Sequence, residues 1–380
     1  MKAAVLFYVQ HLLGIGHLAR ASLVASALAE HGFDVTLVTG GRPVPGFPPP
    51  GIHTFALPAL SGAEGFSGLV DATGRVPDQA FLARRRDALL EIYRRAAPQV
   101  LLIEAYPFGR RQMRFELEPL VDAARAGASP TRLIASSVRD ILQEGRKAGR
   151  DAETAAALRA AFDLVVVHGD PAFMPLEATF SQAAAIADLV RYSGIVSAPP
   201  GRLDGEAADI VVSAGGGAAG SRLMQVALAA ARLDAGASGR WRLVTGPNMA
   251  PDVVAGLARD LPAGVAIERH RNDFRALLAH CAVSVSQAGY NTAADVIEAG
   301  CRALMVPFVA GGETEQTRRA EALAARGLAR CLKPADLTPQ RLLAAIGQAL
   351  ASPPPAGNRP LLGGGGRTAA ILAERLNALR

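Results

Sequence analysis

Lysine is nearly missing from this chain: of its 40 basic residues only Lys2, Lys147 and Lys333 are lysines, and the rest are arginine. With abundant alanine, glycine and proline, that excess reads as a genome-wide compositional bias. The formal charge of +6 and pI near 9.6 therefore carry little nucleic-acid signal of their own. Arginines cluster at Arg84 to Arg86, at Arg94 and Arg95, and at Arg110 and Arg111, but no aromatic-interleaved RNA motif or DNA-reading helix accompanies them. They are expected on solvated helix faces, and no nucleic-acid partner is expected. Cysteine is scarce as well. Cys281, Cys301 and Cys331 are odd in number, widely spaced and without a CxxC pair, so neither a zinc site nor a disulfide framework is implied. Nor is there an obvious carboxylate cluster for a metal. Long apolar runs are absent: none reaches the ~18 residues of a membrane-spanning helix. Residues 1–10 are too short for a signal peptide and are needed as the first strand. A cytoplasmic protein, at most peripheral to a membrane, is expected.

What is present is α/β patterning. A chain of 380 residues is long enough for two or three domains. Residues 3–9 read as a strand, 18–31 as a helix and 35–38 as a second strand, a βαβ opening. Residues 197–202 (SAPPGR) separate a strand-like 194–196 from a fresh strand at 210–213, and so mark the boundary between two domains. The expected division is 1–196, 203–362 and a terminal segment 363–380, whose helix spans 368–379 after the prolines 353–355 and glycines 363–366 break the chain.

The loop after the first strand holds Gly14, Gly16 and His17. Gly14, Gly16 and Ala19 formally satisfy a dinucleotide-binding GxGxxA pattern, with Arg42 placed for a 2′-phosphate. Against that stands the spacing, because residues 10–13 separate the glycines from the strand and a histidine sits inside the turn. At a helix start the positive dipole end disfavours imidazolium, so His17 would be neutral and able to take a proton from a hydroxyl or water. A helix-cap or core histidine is the plain alternative. Other polar residues stand where strands should end: Glu104 after 100–103, Ser136 and Ser137 after 133–135 with Arg139 and Asp140 beyond, and His168 after 164–167. Each suits a ligand at the carboxyl end of an open sheet, or a cap. Glu104 is the first choice among them for orienting His17.

In the second half, the strand 210–213 runs into Gly215, Gly216 and Gly217 and then a helix from about Ser221. Such a turn exposes backbone N–H groups to a pyrophosphate, or is a plain βα turn. Residues 282–286 read as a strand and 293–299 as a helix closed by Gly300. Gln287, Gly289, Tyr290, Asn291 and Thr292 lie between, at a helix start suited to an anion. Asp295, one turn in, is placed to accept hydrogen bonds from paired hydroxyls such as those of a ribose. Thr292 and Asp295 also fit a capping box that needs no ligand. The following strand, 303–307, leads to the adjacent acid and amide Glu315 and Gln316, a pair able to hold several sugar hydroxyls.

The set Gln287, Gly289, Asn291, Thr292, Asp295, Gly300, Pro307, Glu315 and Gln316 resembles the donor-binding signature of the UDP-glycosyltransferases and the MurG group, which share the GT-B fold. The loop from Gly14 to Arg20 is similar to the first glycine-rich loop of the MurG group and to the Gly-x-Gly-His-x-x-Arg loop of PseG-type UDP-sugar hydrolases. Two positions depart from the pattern: Gln287 replaces a histidine or basic residue, and Asp295 a glutamate. The resemblance implies two Rossmann-like domains facing a cleft, with the last helix packing back on the first domain. It implies a nucleotide-sugar donor, UDP-linked, held by the backbone near Arg271 at the base, by Asp295 at the ribose, by Gly216, Asn291 and Thr292 at the diphosphate, and by Glu315 and Gln316 at the sugar. The implied activity is inverting, metal-independent transfer to an acceptor hydroxyl with His17 as base. Hydrolysis of the PseG kind and non-catalytic nucleotide-sugar binding are the alternatives. The implied acceptor is unidentified and, by the MurG parallel, lipid-linked, with a peripheral membrane contact through Arg84 to Arg86.

Overall fold

The computed structural model describes every residue except 1, 13, 49, 63–67, 144–147, 216–219 and 380. The chain divides into two compact units. Unit 1 gathers Met1–Leu142, Arg146–Val196 and Pro360–Arg380, and unit 2 gathers Gln143–Gly145 and Ser197–Arg359.

Unit 1 is built on β1 (Ala4–Val9), β2 (Asp34–Thr39) and β3 (His53–Ala56), a small antiparallel pair of β4 (Leu60–Gly62) and β5 (Leu69–Asp71), then β6 (Val100–Glu104), β7 (Leu133–Arg139), β8 (Leu164–His168) and β9 (Val190–Tyr192). The seven-stranded sheet has the order β3-β2-β1-β6-β7-β8-β9 and is parallel throughout. Its helices are α1 (Gly16–Glu30), α2 (Gln79–Ala96), α3 (Arg114–Arg125) and α4 (Arg150–Ala161). Strands such as β6 and β8 are buried at every residue, as a sheet covered on both faces requires, which is why they read as unbroken apolar runs.

Unit 2 repeats the plan with β10 (Ile210–Ser213), β11 (Trp241–Val244), β12 (Val265–Glu268), β13 (Val283–Ser286), β14 (Arg302–Met305) and β15 (Arg330–Cys331), in the order β12-β11-β10-β13-β14-β15. Its helices are α5 (Ser221–Asp234), α6 (Pro251–Leu257), α7 (Phe274–Ala279), α8 (Tyr290–Ala299), α9 (Glu315–Ala325) and α10 (Pro339–Ala351). Trp241, buried in this core, satisfies its indole N–H on Asp234 at 3.2 Å.

Both sheets reverse winding direction once, between β1 and β6 in unit 1 and between β10 and β13 in unit 2. At such a point the two adjacent strands send their following segments to opposite sides, and a crevice opens at their carboxyl ends.

Three expectations need correcting. Residues 194–196 are not a strand; β9 ends at Tyr192, and this segment pairs instead with the returning chain, through Ile195 N–H to Leu361 O at 2.7 Å and Gly364 N–H to Ile195 O at 2.9 Å. The terminal helix α11 (Gly364–Ala378) begins four residues earlier than the glycine run suggested. Two of those glycines are packing contacts rather than breakers: a Cβ on Gly364 would lie 2.3 Å from Gly194 O, and one on Gly365 3.1 Å from Ala27 Cβ on α1. The helix thus lies on unit 1, as expected. Finally, Arg85 is not on a solvated face. It is fully buried, paired with Glu116 at 2.7 Å, and it donates to Gln10 Oε1 at 2.7 Å and Gly40 O at 2.9 Å.

Candidate functional site

In unit 1 the switch point falls between β1 and β6, and polar residues 87 positions apart meet there. His17, the second residue of α1, places Nδ1 3.0 Å from Oε1 of Glu104, the last residue of β6. No side chain caps α1 at Ile15. His17 keeps 19% of its side chain exposed, whereas Glu104 keeps none, so a substrate can reach the imidazole and not the acid. Arg20, one turn further along α1, pairs with the same carboxylate.

The polar chain continues across the sheet. Ser137 on β7 donates to Glu104 Oε2 at 2.6 Å, His168 Nε2 lies 2.8 Å from Ser137 Oγ, and His168 Nδ1 lies 2.9 Å from Ser193 Oγ. A serine has one proton to give. Because Ser137 spends its proton on Glu104, it must accept from His168 Nε2–H, which leaves His168 Nδ1 to accept from Ser193. At the other end an ionised Glu104 can only accept, so His17 carries its proton on Nδ1 and leaves the Nε2 lone pair for a substrate.

The electrostatics agree with this order. Burial would raise the Glu104 pKa, but the Arg20 charge and the His17 hydrogen bond outweigh it and hold the carboxyl well below its usual range. Burial, and after it the positive charge of Arg110, lowers His17 to about 3 despite the opposing Glu104. Burial also takes His168 down to about 3. Both imidazoles are neutral at physiological pH, and the acid between them is ionised. Ser136, by contrast, turns to the Tyr106 carbonyl at 2.7 Å and has no part in the chain.

In unit 2, Ser213 and Ser286 are register partners at the ends of β10 and β13. Just beyond them, Gly215 is left-handed with φ +67°, and a Cβ there would lie 3.6 Å from Thr292 Oγ1, so the two turns stand side by side at the switch point. Gly216 and Gly217 lie outside the described residues. α8 starts at Tyr290 behind Gly289, with no side-chain cap, so Asn291 and Thr292 are in its first turn. The capping-box alternative fails on this: Thr292 is the third helical residue, not the residue before the helix.

Two loop glycines beside the switch points are not required by their own backbone or packing. Neither Gly14 nor Gly289 has a positive φ, and a Cβ on either would meet no protein atom within 4 Å. Both lie in loops at the switch points, where open space beside the backbone admits a ligand.

Asp295 is 18% exposed and sits 3.9 Å from Arg275. Burial raises its pKa to about 7, Arg275 opposing and Glu298 adding. Glu315 and Gln316 open α9, but not as an open acid and amide pair. Glu315 is 5% exposed and pairs at 2.8 Å with Arg319, whose guanidinium also donates to Ala288 O at 3.0 Å and lies over the Tyr290 ring. This buried pair ties α9 to the turn before α8. Gln316 Oε1 accepts from Phe308 N–H at 3.1 Å. The Arg271 side chain is taken up by Asp273 at 2.6 Å, Glu268 at 3.1 Å and Asp204 O at 2.7 Å, which leaves only its backbone for a ligand. Among the described residues, no group of three His, Cys, Asp or Glu side chains is placed to hold a metal ion.

Comparison with known proteins sets these two switch points in context. Residues 210–356 match the Glycosyltransferase family 28 C-terminal domain. A curated relative, the UDP-N-acetylglucosamine--N-acetylmuramyl-(pentapeptide) pyrophosphoryl-undecaprenol N-acetylglucosamine transferase of Xanthomonas axonopodis pv. citri (strain 306), is 34% identical over 159 residues. That match takes in 41% of this chain and 37% of the relative. Among solved structures, the calicheamicin glycosyltransferase CalG4 aligns with all of this chain and 98% of its own, at TM-score 0.61 and 17% identity. Acinetobacter baumannii MurG covers 98% of this chain and 100% of its own, at TM-score 0.56 and 14% identity. The chain has the GT-B fold and is related to MurG. Glycosyltransferase VinC, solved with dTDP, aligns over 99% of this chain at TM-score 0.60 and 16% identity. The expected likeness of the Gly14 to Arg20 loop to PseG has no support in these matches.

Proposed function

We propose that this GT-B protein transfers a sugar from a nucleotide diphosphate donor, UDP-linked, to an acceptor hydroxyl with inversion and without a metal. The observation that carries the reading is the partly exposed His17 held by the buried Glu104 at the switch point of unit 1.

In this reading His17 Nε2 takes the hydroxyl proton, and Glu104 stabilises the imidazolium through Nδ1–H, a contribution of about 10²–10⁴ in rate. The acceptor oxygen bonds to the anomeric carbon as the bond to the diphosphate oxygen breaks, through an oxocarbenium-like transition state. The leaving diphosphate gathers negative charge, which the backbone around Gly215 and the first turn of α8 would stabilise. Asp295 would accept the ribose hydroxyls. Glu315, with its carboxylate turned to Arg319, would shape the sugar pocket while Gln316 reads the sugar. The curated relative acts, by its name, on an undecaprenol-linked acceptor. A lipid-linked acceptor met at the membrane surface extends the proposal here. Exposed arginines of α2 would make that contact, and Arg85, being buried, would not. None of the described helices is long and apolar enough to cross a membrane.

The test is UDP release from UDP-GlcNAc and UDP-glucose, with water or added acceptors. The expectation is turnover that falls at least about 100-fold in His17→Ala, with UDP affinity unchanged. Equal turnover in the variant would remove His17 from the chemistry.

A further inference from the structure

The loop between β6 and α3 carries an arginine whose surroundings do not account for it. Arg110 is half-buried, and its backbone is left-handed, at φ 60° and ψ 30°, a conformation that costs any residue with a Cβ. Its Nε donates to the Gln10 carbonyl at 2.7 Å, which fixes the guanidinium at the end of β1. Gln10 is itself fully buried and held through its side chain by Arg85 and by the carbonyls of His11 and Leu60. Substantial buried structure therefore serves to hold Arg110 in one place.

Among the described residues, Arg110 has no carboxylate partner. Its neighbours do: Arg111 pairs with Glu153 at 2.5 Å, and Arg114 with Glu118 at 3.4 Å. Glu104 is the carboxylate whose charge reaches Arg110, but it is already engaged by Arg20, His17 and Ser137, while Arg139 and Arg20 add like charge. A guanidinium withdrawn from water calls for a counter-ion, and two N–H edges of a planar fork suit an oxyanion best. Burial accordingly weakens its hold on the proton, to a pKa of about 10.

We infer that Arg110 is the receptor for an oxyanion, phosphate or carboxylate, borne by the acceptor close to the hydroxyl that His17 deprotonates. The inference rests on the reading of His17 as the base. It adds a substrate class, an anionic acceptor, and a link between binding and chemistry. The Arg110 charge is one of the two main influences that suppress protonation of His17. An anion paired with Arg110 offsets that influence, while burial, Arg20 and Glu104 act on His17 as before. The base is then stronger with the acceptor in place than without it, which favours the acceptor over water.

The experiment uses the full-length chain with ¹⁵N-labelled histidine, saturated with UDP so that the donor site is occupied, and follows the ring signals of His17, assigned with His17→Gln. Inorganic phosphate is the probe. In the wild type it should shift the His17 signals saturably, and Arg110→Asn, which tolerates the left-handed backbone, should need at least ten times more phosphate for the same shift. Arg110→Lys keeps the charge and should retain most of the response, while the surface variant Arg367→Gln, exposed on α11, should match the wild type. Glycerol 3-phosphate, an anion bearing hydroxyls, should displace phosphate, and glycerol should not. A response equal in the wild type and Arg110→Asn, or none in either, overturns the inference. Phosphate binding that glycerol 3-phosphate cannot displace overturns the acceptor-borne form of it, leaving a free-phosphate site. Failure of UDP to bind would count against the donor reading alone, because the titration reads His17 directly.

Discussion

Asp295 shows how a buried carboxylate taxes stability. An ordinary aspartate has a pKa of 3.8, and burial raises this one to about 7. The folded state therefore holds a proton that the unfolded state has lost, between pH about 4 and about 7. Stability falls as pH rises through that window, and the full cost is present above pH 7. At about 1.4 kcal/mol per unit the ceiling is about 4 kcal/mol. Asp295→Asn should therefore unfold later than the wild type at pH 8 and equally at pH 4, read by the fluorescence of Trp241, the single tryptophan, which sits in the core of unit 2. Equal stability at both pH values would mean that the carboxylate is better solvated than its 18% exposure indicates. At this scale the sequence pointed to candidate residues but not to their partners. His17 and Glu104 were both legible as polar residues at element ends. Their pairing spans 87 positions and follows from strand order, which residue type does not encode. Glu315 was legible as half of an acid and amide pair, yet its side chain answers to Arg319 one turn on. The i,i+4 spacing was the available signal.

Elements were easier to read, because periodicity is a local property. β10 runs over the residues read as a strand, and α8 closes at Gly300, left-handed at φ 65° as a helix C-cap requires. Helix starts were harder. α1, α8 and α11 all begin two to four residues earlier than their apolar patterns do, because their first residues, Gly16 and His17, Tyr290 to Thr292, and the glycines 364–366, carry no apolar helical period. Gly364 is the sharpest case. A Cβ there meets the backbone of residues 194–196 at 2.3–2.9 Å, and backbone cannot swing aside as a side chain can. Gly364→Ala should cost on the order of 1–3 kcal/mol in unit 1, whereas Gly366→Ala, with nothing within 4 Å of its Cβ, should be neutral or stabilising by about 1 kcal/mol. Chemical denaturation followed by far-UV circular dichroism checks the pair. Equal effects would show that α11 is not clamped to the 194–196 segment.

For the whole molecule, two sheets with the same winding each present the candidate site residues where that winding reverses. In unit 1 the reversal gathers a neutral histidine, a buried carboxylate and an arginine with no acid partner among the described residues. In unit 2 it gathers two glycine turns, a helix start and a carboxylate with a raised pKa. The proposed division of labour, acceptor chemistry in the first and donor binding in the second, starts from the two glycine-rich loops that the sequence shows. What the sequence could not supply was the strand order that sets each loop beside its partner. The most direct test of the account is a calorimetric titration of UDP into the wild type and Asp295→Ala. The account predicts one site per chain in the wild type and affinity at least about tenfold weaker in the variant, the equivalent of ~1.4 kcal/mol lost. The absence of UDP binding, or equal affinity in the two proteins, would contradict it.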